Sequence, residues 1–168
     1  MRFFHLNLSR RSALTAEKKQ VEWLSLQNKV RRCALEFAHD IHALVMMDTH
    51  IHLISSSVCY SENYFSECLQ RESGQPDPEN LIEVIDNYAQ FLNTYKYVYR
   101  NPVEAGLASK CEDYRYSSLQ GLLGRQKPYV IVLDPLGLVQ NPFRVLSWLN
   151  GNNRYNDTDY LRSERSLI

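Results

Sequence analysis

Apolar and polar residues alternate over residues 1–8, with Phe4, Leu6 and Leu8 on one side, which predicts a strand. Ser9, Arg10, Arg11 and Ser12 follow as a turn. Thr15 stands where a helix N-cap belongs, and Val21, Leu24, Val30 and Leu35 mark an apolar face for a helix over residues 16–37. Lys18, Lys19, Lys29, Arg31 and Arg32 read as its solvated face, with phosphate contact as a second reading. Residues 42–54 carry the strongest strand pattern, divided into a hairpin by a turn at Met47, Asp48 and Thr49. This segment is apolar on both faces, so its expected place is central in a sheet.

Further along, a short helix is expected over residues 64–72, broken by Gly74, Gln75, Pro76, Asp77 and Pro78. A strand follows over residues 81–85, then a helix over residues 88–99 stopped by Pro102, because the residue before a proline disfavours helical angles. Residues 129–133, YVIVL, form either a last strand or a buried extended segment. After Asn141 the one apolar patch is residues 143–149, and the polar run from Gly151 is expected to be partly disordered. No internal repeat is visible.

With 168 residues the chain suits one domain. Its longest apolar run is far short of the roughly 20 residues that span a bilayer, and Arg2, His5 and Asn7 interrupt the start where a secretory signal would be apolar. No membrane helix is expected, and the cytoplasm is the expected location. Cys33, Cys59, Cys68 and Cys111 are scattered without a C-x-x-C pair, so they read as small buried thiols, not as a zinc ribbon or a disulfide framework. The formal net charge is zero, which gives no bulk electrostatic reason to bind nucleic acid. Residues 58–95 hold seven acidic side chains and one basic one, Arg71, which leaves 18 basic against 12 acidic elsewhere. An anionic partner should avoid that middle segment.

The chemistry starts at MMDTHIHLISSS, residues 46–57, where His50 and His52 stand one residue apart. On a strand, residues i and i+2 share a face, so two imidazoles roughly 6 to 7 Å apart at the backbone can converge on one cation. Such a pair is also common as structural histidines. The string Asp48-Thr49-His50-Ile51-His52 resembles the opening strand of metal-dependent hydrolase barrels, but these need about 250 residues and later histidines, and none follows His52. Two-histidine phosphoesterases need a second H-x-T or H-x-S, which is missing. A zinc site from His50, His52, Cys59 and Cys68 has no familiar loop spacing.

Residues 95–107 read YKYVYRNPVEAGL, three tyrosines just ahead of an Asn-Pro pair. Here the chain resembles the REP-associated tyrosine transposases, a single-tyrosine HUH transposase family of the insertion-sequence type. Their hallmark is a hydrophobic strand ending in H-x-H and a later Y-x-x-x-N-P-V-x-A-G-L. Tyr97, Asn101, Pro102, Val103, Ala105, Gly106 and Leu107 match it, and residues 113–119, DYRYSSL, resemble the family's D-Y-x-x-S-S segment. The resemblance runs over residues 3–124 and more loosely through Trp148. The segment between His52 and Tyr97, 44 residues, is shorter than relatives usually carry.

The resemblance implies an α/β (α+β) fold: a ferredoxin-like antiparallel sheet with helices packed on one face, in a single domain with an extended C-terminal tail. Residues 1–124 would form the catalytic domain and residues 125–168 a partly irregular extension. The histidines would lie on a central strand with the tyrosine helix beside them. It also implies a nuclease and strand-transfer activity on single-stranded, commonly hairpin, DNA. An ordinary tyrosine has a pKa near 10, so about one in a thousand is ionised at neutral pH and the nucleophile needs help. A divalent cation on His50 and His52 would neutralise charge on the phosphoryl oxygens. Attack by Tyr97 would leave a 5′-phosphotyrosine and a free 3′-OH, a linkage that can be re-attacked without ATP.

Asn101 lies one helical turn after Tyr97, and its carboxamide oxygen can complete the metal site; its other reading is a helix C-cap before Pro102. Two nitrogens and one oxygen suit Mg²⁺ or Mn²⁺. Tyr95 and Tyr99 have the i, i+4 spacing of two-tyrosine HUH enzymes, but Tyr97 alone occupies the Y-x-x-x-N-P frame, which makes the other two packing or base-stacking residues. Lys96 and Arg100, flanking the site, and Arg10 and Arg11, in the first turn, are the expected phosphate contacts, with plain solvation as the other reading of Lys96 and Arg100. The protein would act as a monomer or homodimer. The acidic middle segment supports the alternative of a degenerate, non-catalytic nucleic-acid-binding remnant.

Overall fold

A computed structural model of the chain describes residues 1–9, 15–59, 61–73 and 81–151. Arg10 and Arg11, the breaker at residues 74–78 and the polar run beyond Gly151 lie outside the described residues. The elements begin with β1 (Arg2–Ser9), α1 (Ala16–Glu36), β2 (His39–Met46), β3 (His50–Ser57), α2 (Glu62–Ser73) and β4 (Leu81–Ile85). The four strands form an antiparallel sheet in the order β2-β3-β1-β4. This βαββαβ arrangement is the expected ferredoxin-like core.

Alternation in β1 sorts its side chains between two cores. Phe4, Leu6 and Leu8 join Leu53 of β3 under α1 and α2. Phe3 instead packs on the opposite side, with Ile54 and Ile85. That side is closed by α3 (Tyr88–Glu104), α4 (Leu119–Leu122) and α5 (Pro142–Asn150). Helices therefore cover both faces, which corrects the expectation of helices on one face only: α1 and α2 lie on one, and the tyrosine helix with its C-terminal companions on the other. A two-sided cover explains why β2 and β3 are buried along almost their whole length.

The hairpin forms where expected, with Met47 N–H donating to the His50 carbonyl at 2.8 Å. β3 is central, but β2, expected to be central too, is at the sheet edge. Irregular chain sheathes that edge, which is why it tolerates apolar residues on both faces. Met46 N–H donates to Tyr116 O at 2.9 Å, Ser118 N–H to Leu44 O at 2.8 Å, and Leu133 N–H to Ile41 O at 2.8 Å. The segment 129–133 is thus extended chain touching β2 at a single bridge, Ile41 with Val132.

Helix α1 starts where expected and ends one residue short, at Glu36 with Phe37 as its C-cap, and Thr15 makes no side-chain cap bond. Its buried face is Trp23, Leu26, Val30, Cys33 and Ala34, whereas Val21 and Leu35, expected inward, are exposed. Lys19 is not part of the solvated face: it is buried, paired with Asp48 of the hairpin turn, with its ammonium 5.0 Å from the Tyr116 ring centroid. Cys33 and Cys68 are joined in a disulfide, which corrects the expectation of four thiols; it ties α1 to α2 with a Cα separation of 6.0 Å. Only the packing of those two helices brings the pair together. Cys59 is exposed and Cys111 buried.

At the start of α3, Asn87 Oδ1 accepts from Gln90 N–H at 2.9 Å, and Gln90 Oε1 accepts from Asp86 N–H at 2.9 Å, a reciprocal cap. Phe91, Leu92, Tyr95, Val98, Tyr99 and Pro102 form its buried face, each large apolar side chain contributing about 1.5 to 3 kcal/mol on burial. The helix does not stop before Pro102 but runs through it to Glu104. Its end is a glycine stop: Leu107 N–H donates to Pro102 O at 2.8 Å and Gly106 N–H to Val103 O at 3.0 Å, with Gly106 at φ +70°. The proline ring is buried with the apolar face, which offsets the bond to Val98 that it cannot donate. Among the described residues no helix is long and apolar enough to cross a membrane.

Candidate active site

Strand parity places His5 and Asn7 of β1 and His52 of β3 on the face that α3 covers, with Asn7 directly opposite His52 and Ser9 opposite His50. His52 is 0% exposed, while His50 at the start of β3 is half-buried. Their ring centroids are 4.6 Å apart and nearly perpendicular, at 83°. Thr49 Oγ1 engages His50 Nδ1 at 2.9 Å, and His5 Nε2 engages His52 Nδ1 at 3.1 Å. Each imidazole is therefore held through Nδ1.

Burial, followed by the adjacent rings of His50 and His5, pushes the pKa of His52 down to about 3, against the opposing effect of Asn101. Burial also lowers His50, again opposed by Asn101. Both rings are thus neutral at physiological pH, the form that ligates a metal. The His52 Nε2 atom is buried and has no hydrogen-bond partner among the described residues. The Asn101 side chain, as a hydrogen-bonding neighbour, favours the charged form of both imidazoles but closes no well-formed bond to that nitrogen.

Helix α3 presents its second face here. Tyr97 and Asn101, four residues apart, stand on the same side of the helix, and Asn101 Nδ2 donates weakly to the Tyr97 carbonyl at 3.4 Å. The Tyr97 ring lies 5.4 Å from His52 and 6.0 Å from His5, edge-on to both. Tyr97 is 46% exposed, whereas Tyr95 and Tyr99 are buried on the opposite face. Burial raises Tyr95 well above the ordinary tyrosine range and Tyr99 to about 12, so both are poor nucleophiles as well as inaccessible ones. Asn101 is inside the helix, not at its end: the C-cap is Ala105, which removes the capping reading. An open groove lined by His5, Asn7, Glu83, Asn93, Thr94 and Tyr97 leads up to the tyrosine.

An orphaned, buried, neutral imidazole nitrogen costs free energy unless something occupies it, and this atom fits a metal ligand. Among the described residues no three His, Cys, Asp or Glu side chains group as a metal site. A cation here would take His50, His52 and the Asn101 oxygen, leaving positions for substrate oxygens. The Cys59 and Cys68 alternative fails, since Cys68 is bonded to Cys33.

The two basic residues flanking Tyr97 turn elsewhere. The Lys96 ammonium sits 5.2 Å from the Trp148 ring centroid, and Arg100 donates to the carbonyls of Leu149 at 3.3 Å and Gly151 at 3.0 Å. In place of the expected phosphate contact, both hold α5 against α3. The D-Y-x-x-S-S segment is similarly structural: Tyr114 donates to Met46 O at 2.8 Å, and Ser118 Oγ accepts from Leu44 N–H and meets the Tyr99 hydroxyl, each at 2.9 Å.

Two residues at the site escaped the sequence. Glu83 of β4 lies directly opposite His5 in the sheet, and its Oε2 is 3.2 Å from His5 Nδ1. Strand alternation could have placed His5 on the inner face, but the register that joins it to Glu83 and His52 is not local information.

No protein-family model and no curated protein matches the sequence. A solved structure of a REP-associated tyrosine transposase bound to a REP hairpin is similar to this chain, with a TM-score of 0.54 and 22% identity over 79% of this chain and 85% of that one. At that identity the likeness speaks for a shared fold, the antiparallel sheet with helices described above.

Proposed function

We propose that the protein is a metal-assisted, single-tyrosine endonuclease and strand-transferase acting on single-stranded, hairpin-associated DNA. The observation that carries this reading is the convergence of Tyr97, the half-exposed one of three neighbouring tyrosines, with the orphaned Nε2 of His52 and the carboxamide of Asn101. The resemblance of the Tyr97 to Leu107 motif and the fold shared with a hairpin-bound transposase support the same substrate class.

In this mechanism His50, His52 and Asn101 would hold Mg²⁺ or Mn²⁺, which when bound would polarise a phosphodiester oxygen and neutralise charge in the transition state. Tyr97 is half-exposed and lines the open groove, where a scissile phosphate can reach it. Its Oη forms a bond to phosphorus as the bond from phosphorus to the 3′ oxygen breaks. The tyrosine proton is released, and the departing oxygen is protonated to a 3′-OH. Attack of a 3′-OH on the phosphotyrosine reverses the exchange and rejoins DNA. Burial of Tyr95 and Tyr99 keeps the competing hydroxyls out of the groove.

Incubation with single-stranded hairpin DNA and Mn²⁺ should yield a covalent protein–DNA adduct, lost in Tyr97→Phe and in His52→Ala. The engagement of Lys96 and Arg100 by α5 favours a second reading, a remnant that binds DNA without cutting it. Hairpin binding with no adduct, and with affinity unchanged in His50→Ala, selects that reading.

A further inference from the structure

We propose that Glu83 and His5 are positioning residues, a carboxylate and an imidazole that lock His52 in its Nδ1–H tautomer so that Nε2 offers its lone pair to a cation. The inference rests on the metal-assisted reading above. The geometry is a continuous chain across three strands: Glu83 Oε2 to His5 Nδ1 at 3.2 Å, then His5 Nε2 to His52 Nδ1 at 3.1 Å. An ionised carboxylate only accepts, so His5 Nδ1 carries the hydrogen. In the proposed relay the other nitrogen of His5 accepts, and His52 Nδ1 donates to it. What remains on His52 is a bare Nε2, the same buried atom that has no hydrogen-bond partner among the described residues. Thr49 holds His50 through Nδ1 in parallel fashion, at 2.9 Å.

The arrangement follows from register. Glu83 is directly opposite His5, while His52 is opposite Asn7 and so one diagonal step from His5 on the same face. A side chain that held His5 only for packing would not need a charge, and the Glu83 side chain is 65% exposed and buries little. Outer partners of metal-bound histidines act this way in general, fixing tautomer and ring orientation.

The test uses the full-length chain labelled with ¹⁵N. Long-range ¹H–¹⁵N correlation spectra of the metal-free protein should show hydrogen on Nδ1 and a bare Nε2 in His52. Hydrogen on Nε2 overturns the proposal. In Glu83→Gln, whose amide can either donate or accept, both His52 tautomers should appear, and Mn²⁺ affinity by calorimetry should fall about tenfold or more with an unchanged melting temperature. In Glu83→Lys, a donor alone, the Nε2–H form should dominate. Affinity that falls while the tautomer stays put means the carboxylate acts by charge alone and overturns the relay. Wild-type protein that takes up no Mn²⁺ overturns the metal reading and the positioning role with it. Normal Mn²⁺ uptake with Glu83→Gln binding equally well overturns the relay alone.

Discussion

Tyr97 of α3 and His52 of β3 face each other edge-on, with ring centroids 5.4 Å apart and an interplanar angle of 75°. One is half-exposed and the other wholly buried, so the pair joins an accessible hydroxyl to a protected imidazole. Tyr97→Phe should therefore abolish the DNA adduct while leaving the urea midpoint unchanged. Tyr99→Phe should do the reverse. It keeps the adduct but loses the bond to Ser118 Oγ, 2.9 Å long and buried, at about 1 kcal/mol.

Asn101 separates a ligand role from a structural one. It lies inside α3, so Asn101→Ala should hold or raise helix stability by a few tenths of a kcal/mol. Mn²⁺ affinity should nevertheless drop by at least the roughly tenfold that even an outer partner of a metal site is worth. Thermal melts and calorimetry on the same variant check both halves, and a loss of fold without a loss of affinity would reject the assignment.

His42 predicts the acid limit of the fold. It occupies the bulge of β2 between Ile41 and Ala43, is 3% exposed, and its Nε2 is 2.8 Å from Ser56 Oγ. Burial lowers its pKa from 6.5 to about 4, with Asp40 opposing. In that window the unfolded chain binds a proton that the folded chain does not. Stability is accordingly intact above the unfolded value and falls as the pH drops towards 4, by about 3 kcal/mol for a shift of this size. His39, also lowered by burial, adds in the same direction. Urea titrations of wild type and His42→Gln at neutral pH and near pH 4 should show the variant losing less stability in acid.

Gly106 tests where the tyrosine helix ends. Its φ is +70° and none of the described residues comes within 4 Å of an added Cβ, so Gly106→Ala should cost about 1 to 2 kcal/mol of backbone strain with no steric clash. Pro102→Ala should not lengthen the helix, because the glycine stop remains. Denaturant midpoints measure the first effect and backbone NMR shifts over residues 103–107 the second.

Much of the fold was legible locally. The strand over residues 81–85, the hairpin and the start of the tyrosine helix follow from local pattern and turn residues, which act within a few positions. The same is true of Tyr97 and Asn101, whose spacing alone places them one turn apart on one helix face. The apolar face of α1 was misassigned at Val21 and Leu35, which are exposed, because a helix of that length carries apolar residues on more than one side and only its neighbours select the stripe that is buried.

The sequence by itself determined the order of elements as far as the tyrosine helix, the shared face of His50 and His52, and the tyrosine–asparagine pair, since each depends on the period of one strand or one helix. Tertiary structure alone decided which tyrosine is accessible, which strand sits at the edge, that Cys33 meets Cys68, and that Lys96 and Arg100 turn to α5. It alone aligned Glu83, His5 and His52, residues from three strands whose contact depends on register. Register comes from how the two faces of the whole sheet pack, and no short stretch of chain encodes it.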